Sequence, residues 1–281
     1  VNGSRRVTPQ EIADVLRERI RAGELKAGDR LPTQAELAEE FGVERGTIRQ
    51  ALRELLDDGL LSNASKGSPP RIAEPAPARD EPQAAMVGLA PRLTEAFSAK
   101  QVRIDVACHT AETLMVALGE SLRMIHEGRI RPETIDVRIL VPSRDINLAF
   151  PVPLEGDGDW VHQRWLAQRN AQGQVLRHNL LALRSTHGID VHVTFRALPF
   201  TPPVKLYLLN GEEALIGYYT LTKREEEWNS QTLHMYDALG LQSLLFSFVK
   251  RTSQRDAAFV KESQKWFDAL WETITSDLTL S

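Results

Sequence analysis

The stretch TQAELAEEFGVERGTIRQALR, residues 33–53, decides how the first part of this chain folds. Thr33-x-x-Glu36 is a capping box, in which hydroxyl and carboxylate satisfy each other's orphan backbone N–H groups, so a helix opens here. Leu37, Ala38 and Phe41 give that helix an apolar face, and Gly42 stops it. A second helix then runs over about 45–57. Ile48, Leu52 and Leu55 fall on one side of it, while Arg45 and Arg49, four residues apart, lean toward the other. Its front carries Arg45, Gly46, Thr47, Arg49 and Gln50. An Arg/Thr/Gln front on an apolar back, held across a partner helix by a tight turn, suits the major groove of double-stranded operator DNA.

Working outward, Thr8-Pro9-Gln10-Glu11 starts an earlier helix, with Pro9 at its first position and Glu11 closing a capping box. Ile12, Leu16 and Ile20 give it an apolar stripe, and Gly23 ends it. On the other side, 60–62 and 70–72 flank Ser65-Lys66-Gly67-Ser68 in the pattern of a short hairpin, or wing. Residues 5–72 therefore form one unit. Residues 73–85, AEPAPARDEPQAA, hold three prolines and no apolar period, which reads as a semi-rigid Pro/Ala-rich linker. Residues 86–281 form a second unit.

Composition narrows the classes of function. At 42% apolar and 26% charged residues the chain is an ordinary globular protein. A net charge of −4 argues against indiscriminate coating of nucleic acid, although a few well-placed arginines suffice for specific binding. No apolar run has the length of a membrane span, and the first residues do not read as a secretory signal. A single cysteine, Cys108, reads as a buried strand thiol and fits a reducing cytoplasm. No metal-ligand spacing, phosphate-binding Gly loop or cofactor motif is present, so no metal and no cofactor are expected.

IADVLRERIRAGELKAGDRLPTQAELAEEFGVERGTIRQALRELLDDGLL resembles the winged helix-turn-helix of the GntR family of bacterial transcription regulators, over roughly a quarter of the chain. The resemblance implies that Arg45, Thr47 and Arg49 face DNA, and that Lys66 and Gly67 form a wing tip reaching the minor groove. It implies a homodimer and a small-molecule effector bound by the second unit. Ala35, Glu44 and Gly46 depart from the family's usual Arg, Ser/Thr and Thr, which implies weaker backbone contact or an unusual operator.

The second unit alternates strand-like and helix-like segments, as an α/β domain with a mixed sheet does. Strands are expected over 102–108, 135–141, 189–196, 204–209 and 214–220, the last two joined by an Asn210-Gly211 hairpin turn. Helices are expected over 113–126, 160–185, 236–250 and 256–275, with Glu225 to Glu227 as a solvated loop. KQVRIDVACHTAETLMVALGESL, IDVRILVPS and TPPVKLYLLNGEEALIGYYTLT resemble segments of the phospholipase D-like fold. Laid on that family's His-x-Lys-x4-Asp motif, Lys205 keeps the lysine, while Pro203 and Asn210 stand in place of histidine and aspartate. The resemblance then implies a pocket that binds an anion through Lys205 without catalysis, because proline offers no nucleophile.

Ligands of open α/β sheets lie beyond the carboxyl ends of the strands. That puts His109, Thr110, Ser143 and Arg144 beside Lys205, with Tyr207, Tyr218 and Tyr219 as candidate lining, some of which alternation sends into the core. The closing stripe Phe259, Trp266, Phe267, Leu270, Trp271 and Ile274 reads as core, with part of it available to a dimer contact. The expected protein is a cytoplasmic, homodimeric, ligand-responsive DNA-binding regulator, a repressor rather than an activator. Three rivals remain at this level: a DNA-tethered phosphodiesterase or nuclease, a regulator with a chorismate-lyase-like sensor, and a DNA-binding protein whose second half only dimerises.

Overall fold

The computed structural model describes residues 7–26, 28–57, 60–62, 70–72, 81–156 and 159–281, and the chain divides into two compact units, 1–79 and 80–281.

In the first unit, helix α1 (Pro9–Arg21) begins at a complete capping box. The Glu11 carboxylate accepts the Thr8 N–H at 2.9 Å, and the Thr8 hydroxyl accepts the Glu11 N–H at 3.2 Å. Helix α2 (Gln34–Phe41) starts the same way at Thr33 and Glu36, and ends at Gly42 in the left-handed conformation, φ 64°. Helix α3 (Arg45–Asp57) follows directly. Ile12, Ala13, Leu16, Leu31, Leu37, Ile48, Ala51, Leu52, Leu55, Leu61 and Ile72 form one buried core. Strands β1 (Leu61–Ser62) and β2 (Arg71–Ile72) pair antiparallel, and Arg30 bridges to Arg71. This is the stem of the wing. Its tip, with Lys66 and Gly67, lies outside the described residues, as does most of the expected linker.

The second unit starts earlier than its composition suggests. Strand β3 (Gln83–Ala84) and helix α4 (Ala85–Phe97) take up residues assigned above to the end of the linker, and Ala85 is fully buried. Pro91 inside α4 is a breaker signal that hides the helix in the sequence. There follow β4 (Gln101–Ala107), α5 (Glu112–His126), β5 (Thr134–Pro142), the short β6 (Val152–Pro153), α6 (Asp159–His187), β7 (Asp190–Leu198), β8 (Val204–Leu209) and β9 (Glu213–Tyr218). The turn between β8 and β9 uses positive φ at both Asn210 (54°) and Gly211 (67°), as the sequence signal requires. Strands β10 (Leu221–Trp228), β11 (Gln231–Ala238) and β12 (Leu244–Val249), helix α7 (Gln254–Glu272) and strand β13 (Ser276–Asp277) complete the unit.

Eight strands form one sheet in the order β13-β7-β5-β4-β8-β9-β12-β3. β4, β5 and β7 run parallel, with α5 and α6 as the crossovers, and the pairs from β4–β8 to β12–β3 are antiparallel. Helices α4, α5 and α6 cover one face, burying Val102, Ile104 and Val106 of β4 and the matching residues of its neighbours. Helix α7 covers part of the other through Val260 and Phe267 against Ala107, Leu140, Leu206 and Leu208.

Two expectations fail here. The segment 236–250 is strand, not helix: β11 and β12 occupy most of it. Likewise Glu225 to Glu227 are not a loop but part of β10, which pairs with β11 along its whole length and, through β11, with β6. Alternation sends Arg224, Glu226 and Trp228 inward and leaves Glu225 and Glu227 exposed. The charge run concealed a strand whose inward charges have partners.

Candidate functional site

Two groups of residues carry chemistry. On α3 the apolar stripe is buried and the opposite face is open. Arg45, Gly46, Arg49 and Gln50 are exposed and Thr47 is half-buried, so these five share the accessible surface of one helix. The backbone carbonyl of Glu44 receives the N–H groups of Thr47 and Ile48. A Cβ on Gly46 would meet nothing within 4 Å, so no packing demands glycine there.

The other group lies at the carboxyl end of β4. His109, Thr110, Thr113, Lys205 and Tyr219 line a small cavity of about 40 Å³, and Glu112, Arg164, Trp165, Gln168, Arg224, Asp237, Ala238 and Gly240 complete its lining. Lys205 is only 1% exposed. Its ammonium donates to the Thr113 hydroxyl at 3.3 Å and to the Gly240 carbonyl, and lies 5.1 Å from the centre of the Tyr219 ring. Burial lowers its pKa to about 8. His109 is packed against the rings of Phe150, Trp165 and Tyr219 at 4.8, 5.6 and 6.0 Å. Burial, aided by the Arg164 charge, lowers the imidazole to about 3, so it is neutral at ordinary pH.

The cavity is rich in donors. Both ring nitrogens of His109, the Arg164 Nε and the Trp165 Nε1 are buried without a hydrogen-bond partner. Buried polar groups are normally paired, so such a cluster makes this cavity the candidate binding site. The Arg164 Nε, the Trp165 Nε1 and one nitrogen of the neutral His109 ring are N–H donors, and the other His109 nitrogen is an acceptor. With the Lys205 ammonium these donors suit an anionic or carbonyl-rich ligand, while Glu112 and Asp237 bring carboxylates to the same lining. At about 40 Å³ the cavity is far smaller than the 300 Å³ or more typical of organic ligands, so it is closed in this conformation.

The sequence-selected residues divide. His109, Thr110 and Lys205 come together. Ser143 and Arg144 follow β5 as expected but do not line the cavity: Arg144 is exposed, and the Ser143 hydroxyl accepts the Asp145 N–H at 3.3 Å. Tyr207 is core rather than lining, and Tyr218 is 65% exposed and lines a separate groove with Leu244 and Phe246. Tyr219 is the tyrosine at the site. It follows the end of β9, so strand alternation no longer governs its direction.

Asn210 is at the opposite end of β8 from Lys205. Its side chain accepts the Arg103 N–H at 2.8 Å and donates to the Ala96 carbonyl at 3.0 Å, a structural tie. Cys108 is buried and its thiol is pushed up to about 12 by burial. The closing aromatic stripe is largely core: Phe267 is fully buried, and Trp266 and Ile274 are exposed. Sequence reasoning missed Arg164, Trp165, Arg224 and Asp237. A signal existed in Arg164 and Gln168, four apart beside the buried Val161 and Trp165, where a helix would otherwise be apolar. Among the described residues no group of three or more His, Cys, Asp or Glu is placed to hold a metal, and no helix is long and apolar enough to cross a membrane.

Residues 8–68 match the family model described as "Bacterial regulatory proteins, gntR family". The first unit is thus a gntR-type winged helix-turn-helix. The chain is 54% identical over 54 residues to the mannosyl-D-glycerate transport/metabolism system repressor MngR of Escherichia coli, spanning 19% of this chain and 22% of that protein. It is 30% identical over 166 residues to the histidine utilization repressor of Klebsiella aerogenes, spanning 56% of this chain and 63% of that protein. The second alignment is longer than the first unit and so reaches into the second. Among solved structures, YtrA from Sulfolobus acidocaldarius, a GntR-family transcription factor, is 34% identical over 25% of this chain and 73% of its own, with a TM-score of 0.23. The chain thus spans less than two thirds of either curated relative.

Proposed function

We propose that this protein is a ligand-responsive, sequence-specific DNA-binding transcription regulator, a repressor, acting in the cytoplasm as a homodimer. The observation that carries the reading is the open face of α3, where Arg45, Thr47, Arg49 and Gln50 stand clear of the core on a gntR-type scaffold. Arginine pairs bidentately with guanine O6 and N7, each such pair contributing about 1–3 kcal/mol of base discrimination. Lys66 and Gly67, from the wing, add contact beside the groove. The repressors of Escherichia coli and Klebsiella aerogenes named above support the direction of regulation.

The second unit is the effector domain, and its ligand head is anionic. Support comes from the donor-lined cavity around His109 and Lys205, and from the alignment that extends past the DNA-binding unit. We read this unit as phospholipase D-like and without catalytic activity. The parallel β4–β5–β7 core favours that architecture over the antiparallel meander of a chorismate-lyase-like sensor. Pro203 offers no nucleophile, and Asn210 is committed to the β8–β9 turn. Effector binding shifts the DNA-bound population through a coupling of about 1–3 kcal/mol, as is usual for allosteric proteins.

Selection of bound duplexes from a random pool tests this reading. Enrichment of one sequence with two-fold related halves is expected. Recovery of unselected DNA would overturn sequence specificity, and a single half-site would overturn the dimer.

A further inference from the structure

The strands that close the cavity carry their own anions. Asp237 of β11 accepts from Arg164 Nη1 at 3.1 Å and from Arg224 Nη1 at 3.1 Å. Glu226 of β10 accepts from Arg164 Nη2 at 2.6 Å and from Arg224 Nη2 at 3.1 Å. Both carboxylates project from the inner face of the β10–β11 hairpin onto α6, and Arg164 and Asp237 both line the cavity. The Arg164 side chain is 3% exposed and Asp237 8%, whereas Glu226 and Arg224 are 26% and 30% exposed. Arg164 is therefore the buried end of a four-charge cluster whose outer half is wet.

The rest of the hairpin is lightly held. Apart from its own pairing, the hairpin meets β6 over two residues and takes the Leu154 N–H on the His234 carbonyl at 2.9 Å. It packs on α6 through Leu233, Met235 and Val161 and through the Trp228–Trp160 ring contact at 6.0 Å. The hairpin is not part of the eight-stranded sheet. Lifting it breaks a small apolar contact, a short strand pairing and the ion cluster, and leaves the main sheet intact. Behind it stand the ammonium of Lys205, the unpartnered Arg164 Nε and the unpartnered Trp165 and His109 ring nitrogens.

We infer that the β10–β11 hairpin is a latch, in which Glu226 and Asp237 act as built-in counter-ions for Arg164, and that a ligand oxyanion, a phosphate or carboxylate head, opens the site by taking their place on Arg164 and reaching Lys205. This rests on reading the cavity as the effector site. The exchange conserves charge pairing: one anion replaces another on Arg164, and the released carboxylates keep Arg224 at the wet end.

The test uses the full chain with inorganic phosphate as probe. Calorimetric titration of wild type, Glu226→Gln and Asp237→Asn is paired with amide exchange over 221–238. Each variant should bind phosphate roughly tenfold more tightly than wild type, the equivalent of one weakened charge pair of about 1.4 kcal/mol. In wild type, saturating phosphate should speed exchange in 221–238 and leave 134–142 unchanged. Should Asp237→Asn not fold, Glu226→Gln, on a more exposed side chain, carries the same prediction. Phosphate binding abolished by Lys205→Met, but with hairpin exchange unchanged and no gain in either variant, would overturn the latch and leave the anion site standing. No phosphate binding by wild type or either variant would overturn the anion site, and the latch with it.

Discussion

The Tyr219 hydroxyl accepts the backbone N–H of His109 at 2.8 Å, joining the residue after β9 to the residues after β4 across the intervening β8. That bond fixes the floor of the cavity, because Tyr219 also presents its ring to Lys205 and to His109. Tyr219→Phe keeps the ring and leaves the His109 N–H unpaired in a buried place. A loss of about 1–3 kcal/mol is expected, measured by urea unfolding. An unchanged midpoint would mean the tyrosine only fills space.

His109 sets an acid limit on the fold. Its imidazole is near 3 when folded and returns to about 6.5 when unfolded, so between those values the unfolded chain binds the extra proton. Stability from this residue is complete above about 6.5 and is lost as the pH falls toward 3, by an amount on the order of 4 kcal/mol. His109→Phe should flatten that part of the stability–pH curve. Equal acid sensitivity in the variant would assign the effect to other groups.

On the opposite face of the sheet, Asp105 and Arg138 are register partners in β4 and β5 and are joined by two hydrogen bonds, at 2.6 and 2.8 Å. Asp105 is 1% exposed and also accepts from Gln264 of α7 at 2.8 Å. Asp105→Ala removes the buried partner of a half-sequestered guanidinium and should cost about 3–5 kcal/mol. Asp268, 34% exposed and bonded to the same arginine at 2.7 Å, should cost about 1 kcal/mol or less on replacement by alanine. Thermal unfolding of both variants separates the two values, and equal losses would contradict the assignment.

Two glycines should respond in opposite directions. A Cβ on Gly217 of β9 would come within 2.8 Å of the Leu244 carbonyl on the neighbouring β12, so Gly217→Ala must spread a strand pair. A loss of about 1–3 kcal/mol is expected. Gly46→Ala meets nothing and should stabilise the first unit by up to about 1 kcal/mol through helix propensity. Denaturant melts of both variants check the pair of signs.

Much of this architecture is legible in local signals. The capping boxes at Thr8 and Thr33, the αL glycine at 42 and the Asn210-Gly211 turn each fix a backbone geometry within a few residues, and each appears where the sequence places it. The parallel strands were legible because β-branched and other apolar residues alternate with polar ones along them, as in Val191, Val193 and Phe195 of β7. The β10–β11 hairpin was not. Its inner face carries Arg224, Glu226 and Asp237, whose burial depends on Arg164 from a distant helix, so alternation of apolarity is absent from the sequence. Its turn, Asn229-Ser230, uses positive φ without glycine. The cavity followed the same division. Lys205 and His109 sit at strand ends and were found, whereas Arg164 and Trp165 arrive on the long α6, where only the polar pair Arg164 and Gln168 beside apolar neighbours marks them.

The central claim is that the open face of α3 reads DNA. Its most direct test is a gel-shift titration of a selected duplex with wild type, Arg49→Ala, and Lys100→Ala as a control in the second unit, where Lys100 is exposed and paired with Glu133. Loss of one guanine contact should weaken Arg49→Ala by roughly 5- to 150-fold, about 1–3 kcal/mol, and relax preference at one base pair in each half-site. Lys100→Ala should bind as wild type does. Undiminished affinity and unchanged base preference in Arg49→Ala would contradict the account.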